Sequence, residues 1–337
     1  MKTSDFDYYL PASSIAQRPI QNRDESRLLV VGRHSGKMRH RRFIDIIEYL
    51  TEGDVLVLND TKVFPARIHA KKTSGAMVEF LLLEELPNGN WSSMVKPGRK
   101  ARPGDTFIAG DLVLEIVAVL PEGFREIKIQ SARPLFEALE MAGDIPLPPY
   151  IHEPLKESQR YQTVFAKYSG SVAAPTAGLH FTEELLKKVT DAGCEIAAIT
   201  LHVGPGTFRP VKAENISEHV MHAERYEISK ESAEKIRRAR RIVSVGTTAV
   251  RTLETVASGH GKIVACSGST DIFIYPGYHF QATDALITNF HLPKSTLLML
   301  VSAFSSKDIV LHAYEQAVKD GYRFFSFGDA MFVTDQI

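Results

Sequence analysis

The chain has 337 residues, 44% of them apolar and 24% charged, enough for a sizeable core and for two domains or one domain carrying an insertion. Lysine plus arginine equals aspartate plus glutamate, 40 each, which excludes a global pull toward nucleic acid or membrane and leaves any anionic partner to a local basic patch. Only two cysteines occur, Cys194 and Cys266, without the spacing of a disulfide framework or a zinc ribbon.

The opening "MKTSDFDYYL" carries no hydrophobic signal core, and "TLLMLVSAF" is about half a membrane span, so a cytoplasmic, membrane-free protein is expected. "RLLVV" and "MRHRRF" flank "GRHSGK" as a predicted hairpin; "FIDIIEYL" has helical spacing, and "DVLVLND" reads as a buried strand ending at Asn59 and Asp60. Between residues 62 and 148 the texture changes. Short β-rich runs such as "AMVEFLLLEEL", "WSSMV", "LVLEIVAVL" and "FREIKIQ" alternate with "PNGN", "KPGRKARPGD" and "LPEGF", the pattern of a small barrel or sandwich. "RPLFEALEMAGD" adds a helix, and the proline-rich "IPLPPYI" a return link.

From about 160 onward strands alternate with helices. Thr182 and Ser229 are predicted N-caps; "EIAAITLHV", "IVSVG", "DIFIYP", "DALITNF" and "YRFFSF" are predicted strands. The expected fold is α/β: a mixed-sheet domain from residues 1–61 and 149–337, with an all-β domain over 62–148 inserted between them.

In such sheets ligands sit beyond the carboxyl ends of strands. Five polar strand ends stand out: Asn59-Asp60, His202 with Gly204, Gly206 and Thr207, Gly246-Thr247-Thr248, Asn289 with His291, and Gly328-Asp329. A single one reads as a helix cap, whereas five read as a shared site. "GPGTFR" lacks the third glycine of a dinucleotide fingerprint, and no Walker lysine motif is present. The turn "VGTTAVRT" offers N–H groups and hydroxyls at a helix start, a place for a carboxylate or phosphate. His219, His222 and Glu224 lack zincin spacing, so an acid–base or hydrogen-bonded cluster is expected and no metal. His180 in "PTAGLHFT" and His202 in "HVGPGTFRPV" read either as structural hydrogen bonders or as a general base and substrate donors. Basic residues cluster at Arg33, Lys37, Arg39, Arg41 and Arg42, and again at Lys96, Arg99, Lys100 and Arg102. They read as solvated faces or as phosphate-tracking surfaces for RNA.

The segments "IAQRPIQNRDESRLLVV", "DVLVLNDTKVFPARI", "VKPGRK", "PLPPYI", "RYQTVFA", "GSVAAPTAGLHFT", "HVGPGTFRPV", "HVMHAERYEI", "VGTTAVRTLE", "TDIFIYPGY", "DALITNFHLPKSTLLMLVSAF" and "YRFFSFGDAM" run from end to end. Together they resemble the S-adenosylmethionine:tRNA ribosyltransferase-isomerase family of queuosine biosynthesis. Departures are mild: Pro205 stands where alanine is expected and Phe327 where tyrosine is common.

The resemblance implies a barrel-like α/β domain with an inserted β-barrel. It also implies transfer and isomerisation of the ribosyl part of S-adenosylmethionine onto 7-aminomethyl-7-deazaguanine in the tRNA wobble position. The products are epoxyqueuosine, adenine and methionine. S-adenosylmethionine is then a consumed co-substrate and no cofactor is needed; a monomer is expected. The expected acid–base groups are His180, His202, His222 and Glu224. The expected substrate-binding set is Asn59, Asp60, Arg67, Thr176, Gly204, Gly206, Thr207, Thr247, Thr248, Arg251, Asp271, Asn289 and Asp329. Within it, Arg251 and the Thr247 turn are expected to take the methionine carboxylate, and Asp60, Asp271 and Asp329 to favour the sulfonium or the amine. Two rivals remain, a nucleotide-dependent oxidoreductase and a non-catalytic RNA-binding module.

Overall fold

The computed structural model describes residues 1–155, 157–204, 211 and 213–337. Gly206 and Thr207 therefore lie outside the described residues. The chain divides into two compact units: Met1–Thr61 with Pro149–Tyr168 and Pro175–Ile337, and Lys62–Pro148 with Ser169–Ala174. The short segment Ser169–Ala174 goes with the β-rich unit, where Val172 is buried in its core and the Ser171 carbonyl accepts from the Phe64 amide.

In chain order the first unit begins with β1 (Arg27–Gly32), β2 (Met38–Arg42) and β3 (Asp54–Asn59). The second contributes β4 (Arg67–Lys72), β5 (Met77–Glu85), β6 (Trp91–Lys96), β7 (Thr106–Ala109), β8 (Leu112–Val119), β9 (Arg125–Gln130) and helix α1 (Leu135–Ala142). The first unit resumes with α2 (Glu183–Asp191), β10 (Glu195–Leu201), β11 (Glu224–Ile228), α3 (Lys230–Arg238), β12 (Arg241–Val245) and α4 (Thr247–His260). It ends with β13 (Cys266–Thr270), β14 (Ala285–Asn289), α5 (Thr296–Phe304), α6 (Lys307–Lys319) and β15 (Ala330–Thr334). No single helix among the described residues is long and apolar enough to cross a membrane.

The fold is α/β, with a large mixed sheet and a closed antiparallel barrel. In the barrel β4, β5, β6, β9, β8 and β7 pair in that order, and β7 returns to β4. Alternate residues point inward, so Phe80, Phe107, Leu114 and Ile127 fill the interior while their neighbours face out. The large sheet has nine strands in the order β13-β11-β10-β3-β12-β14-β15-β1-β2. Its central strands are apolar on both faces because both are covered. Along β1, Leu28 and Val30 join one apolar layer and Leu29 and Val31 the other; along β15, Ala330 and Phe332 alternate with Met331 and Val333 in the same way.

Three predicted elements take other forms. "FIDIIEYL" is a 3-10 segment, Phe43–Tyr49, because its buried residues Phe43, Ile46 and Tyr49 recur every three residues. "DIFIYP" forms no strand; the strand is Cys266–Thr270, just before it. "YRFFSF" is an irregular approach that makes only a bridge from Phe324 to Ile15, and Phe325 takes a φ of 69°. Its aromatic side chains signal burial against α6 and β14, not pleating. Gly328 and Asp329 thus precede a strand.

Candidate active site at one edge of the large sheet

Strand register decides which polar residues meet. Asn59 lies opposite Ile199, Ser244 opposite Val57, Val245 opposite Ile287, Asn289 opposite Ala330, and Ala330 opposite Leu28. The carboxyl ends of β3, β10, β12 and β14 therefore share one edge with the amino ends of β15 and β1. Antiparallel pairing of β10 with β11, and of Glu224 with Thr270, adds Glu224 and Asp271 to that edge. The strand ends singled out in the sequence stand side by side.

Asn59 ties three of these ends together. Its Nδ2 donates to the Leu201 carbonyl at 3.0 Å and to Thr248 Oγ1 at 3.2 Å, and its Oδ1 accepts from the amides of Leu201 and Thr61 at 3.0 and 3.2 Å. With its amide filled on both sides, Asn59 is a buried brace between β3, β10 and α4. Beside it, His202 Nδ1 lies 2.8 Å from Thr61 Oγ1, and no partner is found for Nε2 among the described residues. Burial, then the charge of Arg225, lowers the His202 pKa, so the ring is neutral at pH 7. The buried Asp60 accepts from Thr200 Oγ1 at 2.6 Å. Burial raises its pKa against the opposing effects of that hydrogen bond and of Lys167.

Gly246 precedes α4 with φ 83°, a conformation that glycine adopts without strain, and α4 has no side-chain N-cap. The first N–H groups of the helix, at Thr247 and Thr248, thus meet no side-chain capping acceptor among the described residues. One turn on, Arg251 is buried in an ion pair with Glu224, and also donates to the carbonyls of Ile272 and Thr270 at 3.3 Å. Glu224 Oε1 accepts from the Gly204 amide at 2.8 Å. Each carboxylate oxygen of Glu224 and each guanidinium nitrogen of Arg251 already has a partner: Glu224 fixes the backbone at Gly204, just beyond β10, and Arg251 neutralises Glu224. His222 and Asp271 are exposed nearby.

The segment Pro175–Thr182 links the two halves of the edge. Thr176 Oγ1 donates to Asn289 Oδ1 at 2.9 Å, and a Cβ built on Gly246 would stand 3.6 Å from that of Ala177. Gly178 is required by close approach, since a Cβ there would meet Phe165 at 2.7 Å and Thr163 at 2.9 Å. At its end, the buried His180 stacks on Phe43 with centroids 5.0 Å apart. Its Nε2 lies 3.1 Å from Asn289 Nδ2 and its Nδ1 2.7 Å from Ser26 Oγ. An amide nitrogen only donates, so Nε2 accepts and Nδ1 carries the proton. Burial, then Arg323 and Arg23, lowers the His180 pKa to about 3. Asp329 accepts from the amides of Arg27 and Arg323 at 2.9 and 2.8 Å, a brace between β1 and β15.

Arg67 opens β4 in the barrel unit, its Nε buried without a hydrogen bond among the described residues. In the same unit Lys96, at the end of β6, and Arg99 and Lys100, in the turn after it, are exposed; Arg125 fastens that turn through the carbonyls of Gly98 and Ala101, at 3.1 and 3.0 Å. In the α/β unit Lys37, Arg39 and Arg42 are exposed on or beside the edge strand β2, and Arg41 is half-buried. Arg33 is held inward by the Phe304 carbonyl at 2.8 Å and stands 4.1 Å over the Phe304 ring.

Sequence reasoning missed Thr61 and Thr200, the hydroxyl partners of His202 and Asp60, because a hydroxyl in a strand has no local signature. It also missed Glu254, whose buried carboxylate accepts from the amides of Gln281, Ala282 and Thr283 at 2.8, 3.1 and 3.0 Å and so holds the loop before β14.

A family model described as queuosine biosynthesis protein matches residues 3–333. Among solved structures, an S-adenosylmethionine tRNA ribosyltransferase from Thermotoga maritima is 42% identical, with 98% of this chain and 100% of that chain covered and a TM-score of 0.57. The match spans both units and every polar strand end described above, and the chain belongs to the queuosine biosynthesis protein family.

Proposed function

We propose that the protein transfers and isomerises the ribosyl moiety of S-adenosylmethionine onto 7-aminomethyl-7-deazaguanine at the wobble position of tRNA. The products are epoxyqueuosine-tRNA, adenine and methionine. S-adenosylmethionine is consumed, no further cofactor takes part, and the enzyme works as a cytoplasmic monomer. Beside the family match, the reading rests most on His202: a neutral imidazole at a shared sheet edge, with Nδ1 against a hydroxyl and Nε2 without a described partner.

The chemistry asks for such a group. The sulfonium acidifies the C5′ hydrogen, and a neutral nitrogen near it removes the proton. Nδ1–H donation to Thr61 Oγ1 leaves the Nε2 lone pair for that step. Asp60, with its raised pKa, supplies either a carboxylate to the sulfonium or a proton to departing adenine. The uncapped start of α4 takes the methionine carboxylate, a part foreseen for the Thr247 turn together with Arg251, which Glu224 already engages. His180 and Asn289 keep the Thr176–His180 turn in place, and Lys37, Arg39, Arg41 and Arg42 with Lys96, Arg99 and Lys100 track RNA phosphates.

Incubation with tRNA carrying 7-aminomethyl-7-deazaguanine and S-adenosylmethionine, followed by nucleoside mass spectrometry, tests the reaction. Epoxyqueuosine with release of adenine is the expected result. A methylated nucleoside, or RNA binding with S-adenosylmethionine left intact, contradicts it.

A further inference from the structure

The half of the edge formed around β14, β15 and β1 opens a solvent-facing pocket in the α/β unit, lined by Arg23, Arg160, Arg323, Ser26, His180 and Ser326 among others. Arg23 donates to the carbonyls of Gln162 and Gln159 at 2.7 and 3.2 Å, and Arg160 to those of Gln21 and Ile20. This reciprocal clasp holds two like charges together, and burial, then Arg160, depresses the Arg23 pKa. Arg323 adds a third charge, offset in part by its ion pair with the buried Asp329. Its Nη2 is buried with no hydrogen bond among the described residues; Asp329 Oδ1 is 3.7 Å away and also accepts from the Arg27 amide.

No carboxylate is among the described residues that line the pocket. Three guanidinium groups converge, each with N–H donors left over, and the adjacent His180 is held neutral. Such a site is matched by a ligand with negative charge and several oxygens. S-adenosylmethionine is a poor match, because its sulfonium and ammonium outweigh its one carboxylate and carry a net positive charge. A phosphodiester offers two equivalent oxygens to arginine forks.

We propose that the Arg23–Arg160–Arg323 pocket holds a backbone phosphate of the RNA substrate next to the reacting nucleotide. This rests on the functional reading above for the identity of the RNA. The Thr176–His180 turn couples the two places, since Ala177 packs at the start of α4 and His180 walls the arginine pocket.

The test is a binding cycle with anticodon stem-loop RNA in which one phosphate at a time is a neutral methylphosphonate. In the wild-type chain one linkage, or two adjacent ones, weakens binding by about tenfold, as expected for loss of a phosphate contact. Arg323→Gln weakens binding of the unmodified RNA to a similar degree, loses nothing further at the same linkage, and leaves KM for S-adenosylmethionine unchanged. Losses that add, or an R323Q effect on the S-adenosylmethionine KM and not on RNA, overturn the proposal. A flat walk on the wild-type chain does so without any variant, and Arg323→Lys, which keeps the charge but loses the fork, serves if R323Q fails to fold. The binding arm needs no turnover, so it stays readable if the proposed reaction itself is wrong.

Discussion

Glu224 and His202 stand on neighbouring strands at the same edge of the sheet, yet they serve opposite ends. Glu224 is closed in by Arg251 and the Gly204 amide, so its charge is internal to the scaffold. His202 is half-buried, has one ring nitrogen on Thr61, and keeps the other without a described partner. A polar residue beyond a strand end is thus a poor guide to chemistry until its partners are known. What separates a brace from a reactive group here is how many of its hydrogen-bonding atoms the fold already satisfies.

The contrast is broken most sharply by exchange of roles. His202→Ala should lower kcat by about 10²–10⁴-fold, the usual contribution of a general base, with little change in thermal stability. In the wild type, kcat/KM should fall as pH drops below the ordinary histidine range, since the depressed pKa keeps the base neutral down to that region. Equal rates in variant and wild type would move the base elsewhere. Glu224→Gln should act the other way, costing about 3–5 kcal/mol because Arg251 is left buried without its counter-charge. A urea midpoint unchanged from the wild type would mean that the pair is not the brace described.

His180 and His291 sharpen the comparison through acid stability. Both have pKa values lowered to about 3, so between pH 6.5 and that value the unfolded chain binds a proton at each that the native state does not. Stability therefore falls as pH falls through this window, by about 1.4 kcal/mol per pH unit for each histidine. His180→Gln should flatten the acid limb of a stability–pH curve by about one proton. An unaltered slope would show that His180 titrates normally. The smallest effect is expected at the exposed edge strand: Arg39→Ala should weaken tRNA binding by only a few-fold and reduce the salt slope by less than one unit. No change in the slope would leave β2 with the other use of edge cations, discouraging strand-to-strand association.

Much was legible in local pattern. "DVLVL" announced a buried strand and "RLLVV" one side of a hairpin, Thr182 and Ser229 cap α2 and α3 as expected, and the β-rich block closes into a barrel. These features depend on neighbours a few residues away. "YRFFSF" misled because burial and pleating both select aromatic residues, and only tertiary contacts distinguish them. Arg23 and Arg160 were unremarkable in "QNRDESR" and "SQRYQTVFA" because their meaning arises from a clasp across more than a hundred residues.

By itself the sequence determined the two kinds of secondary structure, the polar character of the strand ends and the resemblance to a tRNA-modifying family. Only the tertiary structure decided that Glu224 and Arg251 neutralise each other, that His180 lacks a free nitrogen, and that three arginines face one pocket. The reason is physical: residue type fixes which atoms can donate, accept or ionise, whereas burial and partners determine which of those capacities remain available.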